Sequence, residues 1–457
     1  MKNDATTDLK INGTFLEELT RHAKKQNRIP LELYQKYSVK RGLRNDDGSG
    51  VLVGLTEIGD VHGYIFDEGE RIPDEGRLVY RGININDIVA GFQQEKRFGF
   101  EETVYLLLFG VLPNRQQLEQ FTTALGENRT LPEGFTENMI LKAPSSDVMN
   151  KLARSVLVCY SYDPNPDDLN IRNVLRQCIE LIARFPTMAA YGYQAKSHYF
   201  DNKSLYIHRP QKDLSTAENL LHLIRPDSKF STLEAETLDL SLVLHAEHGG
   251  GNNSTFTVHV VSSTATDTYS AIAAGVGSLK GPLHGGANLK VIEMMDNIKT
   301  GVKDWKDDEE VAAYLTKILK KKAFGGQGLI YGIGHAVYTL SDPRAILLKQ
   351  KAKDLAKAKG MEKEFGLYQK VADLAPQVFK REKNSHKVVA ANVDFYSGFV
   401  YEMLNIPKEL YTPIFCIARI AGWSAHIIEE LVSGGRIIRP AYRNVMRGLE
   451  YIPLEKR

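Results

Sequence analysis

Residues 281–288 read Gly-Pro-Leu-His-Gly-Gly-Ala-Asn, and they constrain the fold more tightly than any other stretch of the chain. On both sides, apolar and small residues recur at helical spacing, so the eight residues must turn the chain sharply between two helices. Pro282 fixes its own φ, Gly285 and Gly286 open conformations closed to other residues, and a helix beginning near Ala287 points its unpaired N–H groups and positive dipole end back at the turn. A histidine held there, His284, is expected to stay neutral and could donate a hydrogen bond to a developing oxyanion. The same residues also suit a tight helix–helix turn with an incidental histidine.

Two further segments place useful groups at element boundaries. One is Gly332-Ile-Gly334-His335-Ala-Val-Tyr338, followed by Ser341-Asp342-Pro343-Arg344. Asp342 can cap a helix with Pro343 at its first position, and that helix runs through Ala345, Ile346, Leu347 and Leu348 to a stop at Gly360. This puts Arg344 in the first turn, beside His335. The other segment is Asn392-Val-Asp394-Phe-Tyr-Ser-Gly398, where Asp394 precedes a helix predicted from about Tyr396 to Leu404 and ended by Pro407. Taken singly, Asp394 reads as a helix cap.

With 457 residues, 43% hydrophobic and 25% charged, the chain is long enough for two domains and belongs to no disordered class. A formal net charge of +2 excludes a strongly basic nucleic-acid footprint, and runs such as Lys349, Lys351, Lys353, Asp354, Lys357 and Lys359 read as solvated helix faces. Cys159, Cys178 and Cys416 lie in apolar helical patterns, as buried thiols of a reducing compartment would. Met1 to Asp8 lacks the apolar core of an export signal, and Glu17 and Glu18 argue against a transit peptide. The apolar stretch from Ala271 to Gly277 soon meets Lys280, so no membrane span is expected and the location expected is cytoplasmic.

Residues 1–50 form a polar extension with one amphipathic helix around Phe15, Leu16 and Leu19, ending in the turn-rich Asn45 to Gly50. Short β-like runs follow at Val51–Val53, Tyr64–Phe66 and Leu78–Tyr80, suiting a small antiparallel patch. Beyond them the pattern is helical. Val148, Met149, Leu152, Val156, Leu157 and Tyr160 recur behind Ser145 or Ser146 as a cap, and Ser215 to Glu218 and Ser231 to Glu234 have capping-box form. The chain is therefore expected to be mainly α with a small N-terminal β patch. A large helical domain, residues 51–286 and 389–457, would hold a smaller inserted domain, residues 287–388, with His284 and Asp394 near the two crossings.

The order, wording and separations of the His284, His335 and Asp394 segments resemble the citrate synthase family, from Gly42-Leu-Arg44 almost to the C-terminus. The resemblance implies a mostly helical homodimer whose two domains close over a cleft. It also implies condensation of acetyl-CoA with oxaloacetate, then hydrolysis of the citryl thioester to citrate and CoA. In that chemistry a weakly acidic thioester methyl loses a proton only if the enolate oxygen is stabilised as charge develops. Asp394 resembles the base, His284 the donor to the thioester oxygen, and His335 the donor that polarises the oxaloacetate carbonyl.

Three arginines match family positions for gripping the two carboxylates of oxaloacetate: Arg344, Arg419 and Arg439. Arg419, flanked by Phe415, Ile417, Ile420 and Trp423, must find an anionic partner or snorkel out. Arg439 would reach across the dimer into the partner's site, and the small-residue run at Ala271 to Gly277 calls for a closely packed partner helix. His245-Ala-Glu247-His248 lacks a third ligand at metal-site spacing, so no metal is expected. The family reading takes His248 and Asn252 as oxaloacetate contacts and His245 as structural. No cofactor is expected to be permanently bound. The CoA thioester is the substrate, met by Gly332, Gly334, Asn392 and Lys387, with Arg381 and Lys383 nearby. Many family members carry a basic residue just after the catalytic histidine, where this chain has Ala336, with Thr339 three positions on. His22, His198, His208 and His426 have no motif around them. A 2-methylcitrate synthase using propionyl-CoA would keep the same catalytic residues, since one methylene in an apolar pocket changes discrimination by only about 1–3 kcal/mol. A non-catalytic CoA-binding protein would be expected to lose Asp394, His284 or His335.

Overall fold

The computed structural model describes residues 13–68, 70–383 and 388–457, so Lys387 lies outside the described residues. The chain forms two compact units, Met1–Val53 and Gly54–Arg457. In the first, the expected amphipathic helix is present as Gly13–Gln26, followed by a short helix, Leu31–Lys36. The strand expected at Val51–Val53 does not form. The Val51 amide bonds to the Leu43 carbonyl at 2.9 Å, beside an isolated antiparallel bridge of Arg44 with Gly50 that extends no further.

The second unit carries one antiparallel three-stranded sheet, β1 (Gly59–Asp67), β2 (Glu70–Tyr80) and β3 (Ile83–Asn84), in the order β1-β2-β3. Its register shifts between His62 and Tyr64, at Gly63. The rest is helical, as the sequence pattern requires. The hub is the helix Tyr411–Ser433, buried continuously from Tyr411 to Ile427. It packs on the helices Phe100–Phe109, Ile171–Asp201, Thr232–His245, Asn253–Ser262 and Thr268–Lys280. A helix apolar all round belongs in such a position.

Local sequence explains most helix ends. Ser215 with Glu218, and Ser231 with Glu234, form the expected capping boxes. The helix Pro343–Lys359 starts behind its Asp342 cap and stops at Gly360, which takes the left-handed conformation. Two caps differ from expectation. The helix Val148–Cys159 is capped by Asp147, whose carboxylate accepts from the Asn150 N–H at 2.6 Å, while Ser145 only supports Asp147. The helix after the Asn392 segment begins three residues early, as Val393–Met403, and its cap is Asn392 rather than Asp394. Asp394 is thereby released from capping and sits in the first turn. No helix among the described residues is long and apolar enough to cross a membrane.

Candidate active site

Five chain segments converge on the inner end of the hub helix. Thr232–His245 ends in a loop carrying His248 and Asn252, and the turn between Thr268–Lys280 and Ala287–Gly301 carries His284. The loop before Pro343–Lys359 carries His335, and the first turns of Pro343–Lys359 and Val393–Met403 carry Arg344 and Asp394. Arg419 faces them from the hub.

The His284 turn needs its glycine for space rather than for unusual backbone angles. A Cβ on Gly285 would sit 2.3 Å from the Leu279 carbonyl oxygen and 2.9 Å from Thr412 Cγ2. On the imidazole, Nε2 accepts from the Ser254 backbone N–H at 3.4 Å and lies 3.0 Å from Ser254 Oγ, which Trp423 Nε1 holds at 3.2 Å. A backbone N–H can only donate, so the ring proton belongs on Nδ1. Burial, with Arg419 adding to it, brings the His284 pKa down to about 4 and keeps the ring neutral.

His335 is fixed in the opposite tautomer. Its Nδ1 accepts from the backbone N–H groups of Val337 and Tyr338 at 3.0 and 3.2 Å, which leaves the proton on Nε2. Two attachments the sequence did not reveal hold this loop. On one side it joins the segment entering the Asp394 helix: Gly334 N–H bonds to the Ala390 carbonyl, Asn392 N–H to the Gly332 carbonyl, and Asn392 Nδ2 to the Gly334 carbonyl, at 2.7, 2.9 and 2.8 Å. Gly332, Gly334 and Asn392 thus tie the His335 and Asp394 segments together. On the other side the β1–β2 hairpin presses on it. Thr339 Oγ1 donates to the Gly63 carbonyl and accepts from the Asp74 N–H, and Ser341 Oγ accepts from the Gly76 N–H. Side chains at Gly63 and Gly76 would collide with this loop, so both must be glycine.

Asp342 organises the charged floor. Its two oxygens accept from the Arg344 N–H, Nε and Nη2 at 3.0, 3.0 and 2.8 Å, and Oδ2 also accepts from the Val393 N–H at 3.1 Å. One carboxylate therefore caps the Arg344 helix, aims the guanidinium and fixes the start of the Asp394 helix. Burial disfavours the Arg344 charge, yet Asp342 holds its pKa above the ordinary arginine value. Asp394 is partly buried, and desolvation raises its carboxyl to about 6 against the opposing pull of Arg344.

Arg419 is the least satisfied charge in this group. It is fully buried, its Nε donates to the His245 carbonyl at 2.8 Å, and neither terminal nitrogen has a partner. Burial, with Arg344 adding to it, brings its pKa down to about 10. His248 Nε2 and the Tyr338 hydroxyl are also buried without partners, and their rings lie 5.5 Å apart, with His335 5.1 Å from His248. Desolvation first, then Arg344, holds both His245 and His248 well below the ordinary histidine range, so both are neutral. Orphaned donors around a buried guanidinium describe a site shaped for an anion. Beside it stand a carboxylate with raised basicity and two neutral imidazole donors of fixed tautomer, a set suited to taking a proton from a carbon next to a carbonyl.

Asn252 supports this site indirectly, its Oδ1 accepting from Ser254 Oγ at 3.0 Å. Arg439 is not brought in. It stands exposed on the irregular segment after Gly434, which is fastened at 3.1 Å from the Ile438 N–H to Ser263 Oγ. Among the described residues no cluster of His, Cys, Asp and Glu is arranged to hold a metal ion. Sequence alone gives Ser254, Trp423 and Tyr338 no role: Ser254 and Trp423 lie on helices where a lone serine or aromatic carries no motif, and Tyr338 lies in the loop after His335.

Known proteins match this arrangement over nearly the whole chain. The family model described as citrate synthase, C-terminal domain, matches residues 47–441. The citrate synthase of Haloferax volcanii is 33% identical over 426 residues, 92% of this chain and 99% of its own. A 2-methylcitrate synthase of Corynebacterium glutamicum is 32% identical over 391 residues, 84% of this chain and 93% of its own. Among solved structures, Pyrobaculum aerophilum citrate synthase superposes with a TM-score of 0.72 at 30% identity, covering 89% of this chain and 94% of that one. The Thermoplasma acidophilum enzyme, solved with carboxymethyl coenzyme A and oxaloacetate, gives 0.74 at 26% identity, covering 92% and 99%. A mainly helical fold and matches of this extent lead to one conclusion: the chain belongs to the citrate synthase family.

Proposed function

We propose that this chain makes citrate from oxaloacetate and acetyl-CoA, with Asp394 as base, His284 as donor to the enolate oxygen and His335 as donor to the oxaloacetate carbonyl. Asp394 removes a methyl proton while the Nδ1–H of His284 neutralises charge growing on the thioester oxygen. The enolate carbon attacks the oxaloacetate carbonyl, and the Nε2–H of His335 passes its proton to that oxygen. Water then cleaves the citryl thioester. Arg419, Arg344 and His248 hold the two carboxylates of oxaloacetate, with Asn252 behind them. The observation that carries this reading is the pair of buried, unpartnered terminal nitrogens of Arg419 beside the neutral His248.

Residues 287–388 act in this reading as the smaller domain that closes on residues 51–286 and 389–457, with His284 and Asp394 at the crossings. The working unit is a homodimer. Ala271 and Gly275 of the helix Thr268–Lys280 are buried, Gly275 against Val258 and Trp423, but Ala273, Ala274 and Gly277 remain partly or fully exposed for a second copy. Arg439, far from its own cluster on an exposed segment rich in Tyr442, Leu449 and Tyr451, serves the neighbouring site. Coenzyme A enters as substrate rather than as a resident group, with the 332–334 and 392 backbone, Arg381 and Lys383 on its path. Three free, buried cysteines fit a reducing, cytoplasmic setting.

The 2-methylcitrate reading is retained for one reason: relatives of that name are about as similar as the citrate synthases, at 32% against 33% identity. Thiol release from acetyl-CoA and from propionyl-CoA, each with saturating oxaloacetate, separates the two. A higher kcat/KM for acetyl-CoA is expected, and a preference for propionyl-CoA by about tenfold or more, the scale of one methylene, would reassign the chain.

A further inference from the structure

Coenzyme A thioesters carry a diphosphate and a 3′-phosphate, so a loop that receives one needs a cation within reach. From Ala323 to Pro343 the chain around His335 contains no lysine or arginine, and Arg344, which follows, is buried against Asp342. A cation comes to this loop from outside. Arg71, the second residue of β2, donates from Nη2 to the Ala336 carbonyl at 3.4 Å, one residue beyond His335. Its guanidinium lies over the Tyr64 ring, 3.7 Å from the ring centre, and its Nε is buried without a partner.

The hairpin holds Arg71 in place and apart from its own acids. Strand pairing sets Arg71 opposite Phe66 and Pro73 opposite Tyr64, so these four residues share one face. Asp67 and Glu70, paired at the tip, fall on the other face, while Asp74 engages His62, Asp60 faces Arg77 and Glu75 accepts from Ser341 Oγ. Among the described residues Arg71 therefore has no anionic partner, and its Nη1, unlike Nε, reaches solvent. The bonds of Thr339 and Ser341 to Gly63, Asp74 and Gly76 pin the hairpin to the same loop, so the guanidinium is delivered at a fixed place on it. Bracing one carbonyl needs only a neutral N–H. An unpaired charge with free donors, held beside a catalytic loop, is what an anion requires.

We propose that Arg71 is the cation on which a phosphate of the CoA thioester docks at the His335 loop, which makes the β1–β2 hairpin part of the coenzyme site. This rests on the reading of a CoA thioester as substrate. Nη1 and the second N–H of Nη2 present donors side by side to two phosphate oxygens, with the Tyr64 ring as backing. Of the basic residues on the other side of the path, Arg381 is already committed to Glu382 at 3.3 Å. Docking on Arg71 ties the remote end of the thioester to the loop that carries His335, so binding energy gained far from the reacting carbon is realised at the element that holds the donor to oxaloacetate.

Arg71→Gln keeps a donor for the Ala336 carbonyl and removes the charge. At saturating oxaloacetate it should raise the acetyl-CoA KM about tenfold or more, the scale of a lost charge-assisted hydrogen bond, and leave the oxaloacetate KM where it was. Acetyl-dephospho-CoA, which lacks the 3′-phosphate, identifies the group bound. Equal KM values for it in wild type and variant place Arg71 on the 3′-phosphate, and a persisting difference of about tenfold places it on the diphosphate. An acetyl-CoA KM within about twofold of wild type overturns the proposal, and so does a loss confined to kcat, which would make Arg71 only a brace of the His335 loop. If Arg71→Gln does not fold by circular dichroism, phenylglyoxal labelling of the wild type followed by mass spectrometry decides: saturating CoA should protect Arg71, and labelling at an unchanged rate overturns the proposal. Wild-type protein that releases no thiol from acetyl-CoA with oxaloacetate would refute the functional reading and this proposal with it, whereas wild-type turnover beside an unshifted variant refutes the proposal alone.

Discussion

Replacing Asp394 with asparagine should make the protein more stable and almost inactive. Burial raises the Asp394 carboxyl from 3.8 to about 6. At about 1.36 kcal/mol per pKa unit, holding the charged form in place costs about 3 kcal/mol at neutral pH. The sign follows from proton binding. With a raised native pKa, the folded state binds more protons between the two values, so the favourable contribution is full below pH 3.8 and is lost as pH rises through about 6. Asparagine never carries that charge. The raised pKa is the net of every influence on the charged form, the helix N-terminus included, so the substitution gains about 3 kcal/mol at pH 7.5. Because Asn392 is the cap, the substitution does not uncap the helix. Thermal unfolding should show the variant ahead of wild type by about 2–3 °C at pH 7.5, with the gain roughly halved at pH 5. Turnover should fall by a factor of about 10²–10⁴ or more, the range for losing a general base. In the wild type, activity should fall on acidification through about pH 6 as Asp394 protonates. A variant that is destabilised at neutral pH, or that keeps near wild-type turnover, would refute the placement of a desolvated base at this position.

Three further outcomes follow from the same geometry. His284→Ala and His335→Ala should each lower kcat by about 10² or more, and the double variant should lose much less than the product, because each slows its own one of two successive steps and the slower step sets turnover; multiplying effects in steady-state kinetics would contradict this. Arg419→Leu should weaken oxaloacetate binding by about 2–5 kcal/mol in calorimetry without lowering Tm, since a buried charge with two unpartnered nitrogens gives way to an apolar side chain; oxaloacetate bound as tightly as before would remove Arg419 from the site. Mixing inactive Asp394→Asn subunits with inactive Arg439→Ala subunits should restore activity on exchange, because one site of each mixed dimer then carries neither lesion; proven heterodimers without activity would place Arg439 in its own subunit's site or in none.

What could be read from the chain before its structure was local. Asp342-Pro343 with Gly360, and the two serine capping boxes, are written within a few residues and formed as expected. The segments of His284, His335 and Asp394 stand out in the sequence because each carries a histidine or carboxylate near glycines in a fixed local wording. Two cap assignments failed for a local reason: where several cap-forming residues adjoin, as in Asn392 and Asp394 or Ser145 to Asp147, sequence does not say which carboxyl or amide reaches the free N–H groups. The supports of the site were hidden because they are long-range. Thr339 meets Gly63 and Ser341 meets Gly76 across separations of 276 and 265 residues, and no periodicity records such a meeting.

The central claim is that this site makes citrate through Asp394, and one measurement bears on it most directly. Purified protein is given acetyl-CoA with and without oxaloacetate, and free CoA thiol and citrate are quantified in the same reaction, for wild type and for Asp394→Asn. The expected result is one citrate per thiol released, no thiol above background without oxaloacetate, and neither product from folded Asp394→Asn. Thiol release that ignores oxaloacetate, or citrate formed at an undiminished rate by Asp394→Asn, would contradict it.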